Sequence, residues 1–257
     1  MRPGEVKYKM FDFSTAADDF FVNLNLQTNL ALPTNRETLL QFYEAIQREF
    51  PSMTLLYQRD AGESVLEASR EEGSYLWMEM CNNRLTAGSF NPEATDDVYR
   101  LHRWLLEHSV YFLGIGGLDV ELMDVMFGFN LDYKGNRDQI VADSLMGDSA
   151  IGALTGESPT GCLECEPSMV VALDEDCYLQ ARVSLETRSN DYQVRTGRYD
   201  SEPISVYFTI RRMPTPGRIM NMSEAFAEQC EICEDICRRI VIPKIVRPIA
   251  VAIASSP

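Results

Sequence analysis

The chain has 257 residues, 45% of them hydrophobic, with a formal charge of -16 and two histidines. That hydrophobic content suffices for a packed core and excludes a disordered chain. The charge argues against direct contact with nucleic-acid backbone, which is bound through Lys and Arg, and favours a basic protein partner.

The first predicted element is a strand over 22–32, VNLNLQTNLAL. Val22, Leu24, Leu26, Leu30 and Leu32 alternate with Asn23, Asn25, Gln27, Asn29 and Ala31, and a period of two marks a half-buried strand whose apolar side needs a covering layer. Pro33 and Thr34 open a helix that reaches Phe50, with Leu39, Leu40, Tyr43 and Ile46 at helical spacing and Thr34 and Glu37 as a capping box. Short strands follow at 53–57, 64–69, 74–81 and 84–90, separated by the turn pairs Ala61-Gly62, Glu72-Gly73 and Asn82-Asn83. Thr95, Asp96 and Asp97 begin a second helix to about Phe112, and Gly114, Gly116 and Gly117 turn the chain into a long strand over 118–133. Its alternation slips. Leu118, Val120 and Leu122 share one parity, whereas Val125, Phe127, Phe129, Leu131 and Tyr133 share the other, as a β-bulge requires.

A short helix over 136–146 leads into a Gly/Ser-rich loop, 147–161. Strands at 169–173, 177–187 and 204–210 come next, then a helix over 223–242. These elements define an α+β fold: antiparallel sheet or sheets with helices on one face. Residues 1–146 read as an elaborated ferredoxin-like (split βαβ) half and 162–239 as a related β-meander plus helix, either one domain with the first half or a diverged repeat of it. The last segment, 240–257, is an apolar tail in which Pro248 is expected to break the helix.

No motif singles out an activity. Cys162-x-x-Cys165 and Cys230-x-x-Cys233 with Cys237 could hold Zn²⁺. However, Met222, Phe226, Cys230, Cys233, Cys237 and Ile240 form the apolar stripe of one helix, which favours buried thiols. No metal and no cofactor are therefore expected. The glycines at 114–117 follow a helix and precede a strand, the reverse of a phosphate-binding loop, and fit a helix C-terminal turn. His102 and His108 lie six residues apart on one helix and accompany no nucleophile motif. Asp132 and Lys134 echo a nuclease D-x-K, and Asp174, Glu175 and Asp176 form an acidic turn, but the overall negative charge opposes a nucleic-acid substrate.

Two surfaces remain. The amides Asn23, Asn25, Gln27 and Asn29, with Asn130, Asp132 and Arg182, could form a ligand or partner face, because amides both donate and accept hydrogen bonds. The tail residues Ile245, Val246, Ile249, Val251 and Ile253 either dock on their own chain or pack onto a second subunit. The opening residues lack a basic segment followed by an apolar one, and the cysteine number is odd, which together lead us to expect a cytoplasmic protein with reduced thiols. No apolar run approaches the roughly 18 residues of a membrane span. The expected function is a non-enzymatic interaction protein, such as an assembly subunit, an adaptor or an acidic immunity-type inhibitor, able to self-associate through a sheet edge or the tail. The rival is a small-molecule or enzymatic site walled by Asn25, Gln27, Asn130, Asp132 and Arg182.

Overall fold

The opening strand is β1 (Asp19–Thr28) of a computed structural model whose described residues are 13–60, 62–92 and 95–256. Its two faces differ as the alternation requires: Phe20, Val22, Leu24 and Leu26 are buried, while Phe21, Asn23, Asn25 and Gln27 are half-buried. The strand ends two residues earlier than Leu30. The Thr28 hydroxyl donates to the carbonyls of Leu30 and Asn83, which turns the chain off the ladder and leaves Leu30 68% exposed. Leu30 and Asn29 therefore do not belong to the alternating set.

The remaining strands are β2 (Met53–Gln58), β3 (Ser64–Ala68), β4 (Tyr75–Cys81), β5 (Arg84–Phe90), β6 (Val120–Tyr133), β7 (Ser168–Ala172), β8 (Leu179–Glu186) and β9 (Glu202–Arg212). Together they form one antiparallel sheet in the order β2-β3-β4-β5-β1-β6-β9-β8-β7. Helix α1 (Arg36–Glu49) joins β1 to β2, and because every neighbouring pair is antiparallel these two strands run parallel with three strands between them. Each half of the chain runs strand, helix, meander and helix. In each, the last meander strand, β5 or β9, lies beside the opening strand, β1 or β6. The halves meet where β1 pairs with β6, and β9 extends the same sheet along Met123–Tyr133. The expected bulge falls in β6: Gln27 faces Leu122 but Thr28 faces Val120, so Glu121 is the extra residue and Val120 and Met123 both reach the core.

Helices α1, α2 (Thr95–Leu113) and α5 (Met222–Ile236) cover the buried face. The cap of α1 is Asn35 and not Thr34: its side-chain carbonyl accepts from the N–H groups of Glu37 and Thr38 at 2.9 and 3.3 Å, and an amide oxygen serves there as well as a hydroxyl. α5 is anchored by Gln229, fully buried, whose Nε2 donates to the carbonyls of Met123 on β6 and Ile210 on β9 at 2.9 and 2.7 Å. Beneath the helices Phe20 packs against Phe13, Phe127 and Phe129 with ring centroids 5.3–5.6 Å apart. Full burial of each such ring contributes roughly 1.5–3 kcal/mol.

The prolines do not end the C-terminal helix. α5 continues as a π-helical stretch, Cys237–Val246, which contains Pro243, and then as α6 (Arg247–Ser255). Pro248 falls in the first turn of α6, at its junction with the π stretch, and the widened π stretch itself holds Pro243. The predicted helix at 136–146 is α3 (Arg137–Val141) followed by a π turn, Ala142–Met146. One helix was not predicted, α4 (Asp191–Thr196), capped by Asn190 and ended by left-handed Gly197. Among the described residues no helix is long and apolar enough to cross a membrane.

Candidate interaction face

The pairing of β1 sets Asn23, Asn25 and Gln27 opposite Gly88, Thr86 and Arg84 of β5 on one side and Met126, Asp124 and Leu122 of β6 on the other. These residues lie on the sheet face turned away from the helices. Two of the three amides, Asn25 and Gln27, are engaged with their neighbours, whereas the buried Asn23 Oδ1 has no hydrogen-bond partner among the described residues. Gln27 Nε2 donates to Glu121 Oε2 at 2.8 Å, and Asn25 Nδ2 donates to Asp124 Oδ2 at 3.4 Å while its Oδ1 accepts from the Thr86 hydroxyl. Arg211 of β9 holds Asp124 through Nε and Nη2, both at 2.8 Å, and this hydrogen bonding raises the guanidinium further above its ordinary value. Asn130 accepts from the Ser205 hydroxyl at 2.7 Å. Asp132 is exposed at the end of β6, with its carboxyl pushed up by partial burial and by the charges of Asp18 and Asp19. Arg182 is exposed on β8, three strands from β1, and Asn29 lies in the turn after β1. The structure thus brings Asn23, Asn25 and Gln27 together, sets Asn130 and Asp132 further along the same face and Arg182 on it three strands away in the row of Asn23, and leaves Asn29 in the turn.

The sequence reading missed the aromatic residues on this face. Tyr75 stacks on Phe90 with centroids 5.1 Å apart, Phe90 on Phe21 at 5.8 Å, and Phe21 meets Tyr207 edge-on at 6.2 Å. These rings make a stripe running across β4, β5, β1 and β9. It crosses β6 at Gly128, where a Cβ would overlap the Phe21 ring, and beside it the Trp77 indole and Asn23 Oδ1 occupy the space a Cβ at Gly88 would need. The stripe is capped at both ends by arginine. Arg70 lies over the Tyr75 ring at 5.0 Å, and Arg188 Nη2 donates to the Tyr207 hydroxyl at 2.8 Å, which in turn donates to Glu186. Burial pushes the Tyr75 and Tyr207 phenols up, so both remain neutral donors. The signal available in the sequence was the pair of glycines inside otherwise continuous strands, which marks a close approach over the backbone. Gly128→Ala is accordingly expected to displace Phe21 and cost roughly 1–3 kcal/mol, read as a lower urea midpoint with altered near-ultraviolet circular dichroism.

Four carboxylates on this face are held by arginines, Glu67 by Arg70 at 2.6 Å, Glu79 by Arg59 at 2.5 Å, Asp124 by Arg211 and Glu186 by Arg188 at 2.5 Å, while Glu121 and Asp19 accept from the amides Gln27 and Asn91. These four carboxylates are therefore compensated in place. The other candidates have structural roles. Cys230, Cys233 and Cys237 are buried under the sheet, and burial pushes their thiols well up, which keeps them protonated and unreactive. The loop carrying Cys162 and Cys165 is pinned by Gln139 and Asp138, which accept from their backbone N–H groups, and partial burial pushes the Cys165 thiol up to about 11. Among the described residues no group of three or more His, Cys, Asp or Glu side chains could hold a metal ion. Asp119 accepts from the backbone N–H of Gly116 within the turn before β6, and His108 stacks on Trp104. In the tail, Val246 and Ile249 are buried against the protein's own core, Ile245 and Ile253 pack beside them, and Val251 is 59% exposed. A cleft of about 600 Å³ lies at one end of the sheet, lined in part by Phe50, Ala68, Glu72, Tyr75 and Arg100 and by none of the amides. No protein-family model matches the chain, and a search of curated proteins finds no match.

Proposed function

We propose that this protein is a non-enzymatic interaction module of the cytoplasm that binds another protein through the open face of its sheet. The observation that carries this reading is the aromatic stripe Tyr75, Phe90, Phe21 and Tyr207, half-buried on a face without helices and capped by Arg70 and Arg188. Aromatic rings and arginines are the side chains most enriched at the centres of protein interfaces. The rival, a small-molecule or enzymatic site, draws less support, since Asn25 and Gln27 spend their hydrogen bonds on neighbouring side chains and Asp132 and Arg182 lie further off on the same face. The parallel β1 and β2 joined by α1 support reading the first half as an elaborated ferredoxin-like unit, a likeness that carries no function of its own.

The test is affinity capture with tagged full-length protein and with the double variant Tyr75→Ser/Phe90→Ser, with thermal melting as the control for folding. A protein retained by the wild type and lost by a folded double variant is the expected outcome. Equal retention by both would sink the reading.

A further inference from the structure

Among the described residues the sheet ends in two unpaired edges, and they are not equivalent. Every residue of β7 is exposed, with Met169 64%, Val170 55% and Val171 45% accessible and Leu173 beyond them at 37%. Its backbone geometry is fixed by its partner strand: the Leu173 N–H donates to Leu179 and the Pro167 carbonyl accepts from Leu185. Backbone groups alternate sides along a strand, so residues 167, 169, 171 and 173 face β8. Ser168, Val170 and Ala172 therefore direct their N–H and C=O groups outward, away from the sheet. An apolar strand with free ladder groups is a template for an added strand.

The surrounding charge selects what would add. From Asp138 through Ala181 the chain contains nine acidic residues, of which Asp138 is buried, and no Lys, Arg or His. The cation paired with β7 is Arg182 of β8, opposite Val170 at the middle of the strand, so the acidic charge is concentrated at the strand's two ends. Glu164 lies exposed before β7, and Asp174, Glu175 and Asp176 lie exposed after it. By contrast, the apolar edge β2 has charges of both signs after it, Arg59 and Asp60. A second β7 edge would bring two of these acidic segments together, which like-charge repulsion opposes. We infer that β7 accepts, as a tenth antiparallel strand, an extended apolar segment of a partner protein flanked at both ends by lysine or arginine. This inference rests on the reading of the protein as an interaction module and assigns one of its contacts.

The test uses full-length protein and a fluorescent synthetic peptide with an alternating Val-Thr core and two lysines at each end, read by anisotropy. Saturable binding is expected, lost when glutamates replace the lysines and weakened at about 0.5 M NaCl, where the Debye length is about 4 Å. Val170→Pro removes an outward N–H without touching the β8 ladder, so it should keep the wild-type melting temperature and weaken the peptide by about tenfold or more. Val170→Lys, a second edge block, should weaken it similarly by repelling the basic flanks. Undiminished binding by both variants, or equal binding of the lysine and glutamate peptides, would overturn the assignment. So would a concentration-dependent dimer in sedimentation velocity that Val170→Pro abolishes, since the occupant would then be a second copy. Peptide binding lost in Tyr75→Ser/Phe90→Ser but kept in Val170→Pro would overturn the edge assignment alone and leave the open-face reading standing.

Discussion

Replacing Arg137 by methionine is expected to destabilise the protein by about 3–5 kcal/mol, the cost typical of removing one member of a buried polar network. Arg137 is fully buried at the start of α3. Its Nε donates to the Thr187 carbonyl at 2.5 Å, Nη1 to the Asp200 carbonyl at 2.9 Å, and Nη2 to the Arg188 carbonyl and to Gln193 Oε1, each at 3.3 Å. One planar guanidinium thus holds both ends of the connection between β8 and β9 and the helix α4 within it. Methionine preserves much of the stem volume but supplies no donors, and buried acceptors left without partners cost about 1–3 kcal/mol each before relaxation. Lysine, with one compact ammonium in place of a fork, should recover only part of the loss. Urea unfolding checks the magnitude, and hydrogen exchange over 187–200 checks the location. A loss below about 1 kcal/mol would refute the assignment of this side chain as the clamp. The change should also reach the open face. Arg188 has a left-handed backbone, φ 55°, and while Arg137 holds its carbonyl from behind, its side chain bonds Ser205, Glu186 and Tyr207 in front.

Arg137 also illustrates which features were legible in the sequence. Local patterns translated directly: the alternation of β1 as far as Thr28, the turn pairs Glu72-Gly73 and Asn82-Asn83, the slip that became the Glu121 bulge, and the apolar stripe from Met222 to Cys237 each depend on residues close together in the chain. Ala61 of the predicted turn before β3 lies outside the described residues, and Ile240, expected in the stripe, is exposed. Failures arose where a distant group decided the outcome. The Thr28 hydroxyl, bonded to Asn83 across the sheet, ended β1 before Leu30. The rod from α5 to α6 tolerates two prolines because Val246 and Ile249 are held in the core, an example of packing overriding local preference. The four amides looked like a free polar ladder because the sequence does not reveal that β6 sets Asp124 and Glu121 beside Asn25 and Gln27. Beyond the two glycines Gly88 and Gly128, the aromatic stripe was illegible for the same reason. Tyr75, Phe90, Phe21 and Tyr207 come from four strands and share a face only through the register of β4, β5, β1, β6 and β9.

Acid should destabilise this protein through one histidine. His102 is fully buried on α2 with its ring edge-on to Phe226, 5.7 Å between centroids, and burial lowers its pKa from the ordinary 6.5 to about 4, the backbone of Ala87 opposing the shift in part. The unfolded chain takes up a proton near pH 6.5 and the folded chain does so only near pH 4. Between those values the unfolded state binds more protons, so stability is fully present above about pH 6.5 and declines as the pH falls. The cost amounts to about 2 kcal/mol by about pH 5 and approaches about 3 kcal/mol at pH 4 and below. About pH 5 is the better place to measure, because the sequence pI is near 4.5 and solubility falls there. Urea unfolding of wild type and His102→Phe at about pH 7 and about pH 5 isolates the effect, since phenylalanine keeps a ring against Phe226 but cannot take up a proton. The variant's absolute stability reflects how well the larger ring packs, whereas its smaller loss between the two pH values reports the missing titration alone. An identical loss in both proteins would mean that carboxylates and not His102 carry the acid sensitivity. A smaller loss in the variant would identify this buried imidazole, which sits between α2 and α5 beneath the sheet and away from the open face, as the group that limits stability in acid.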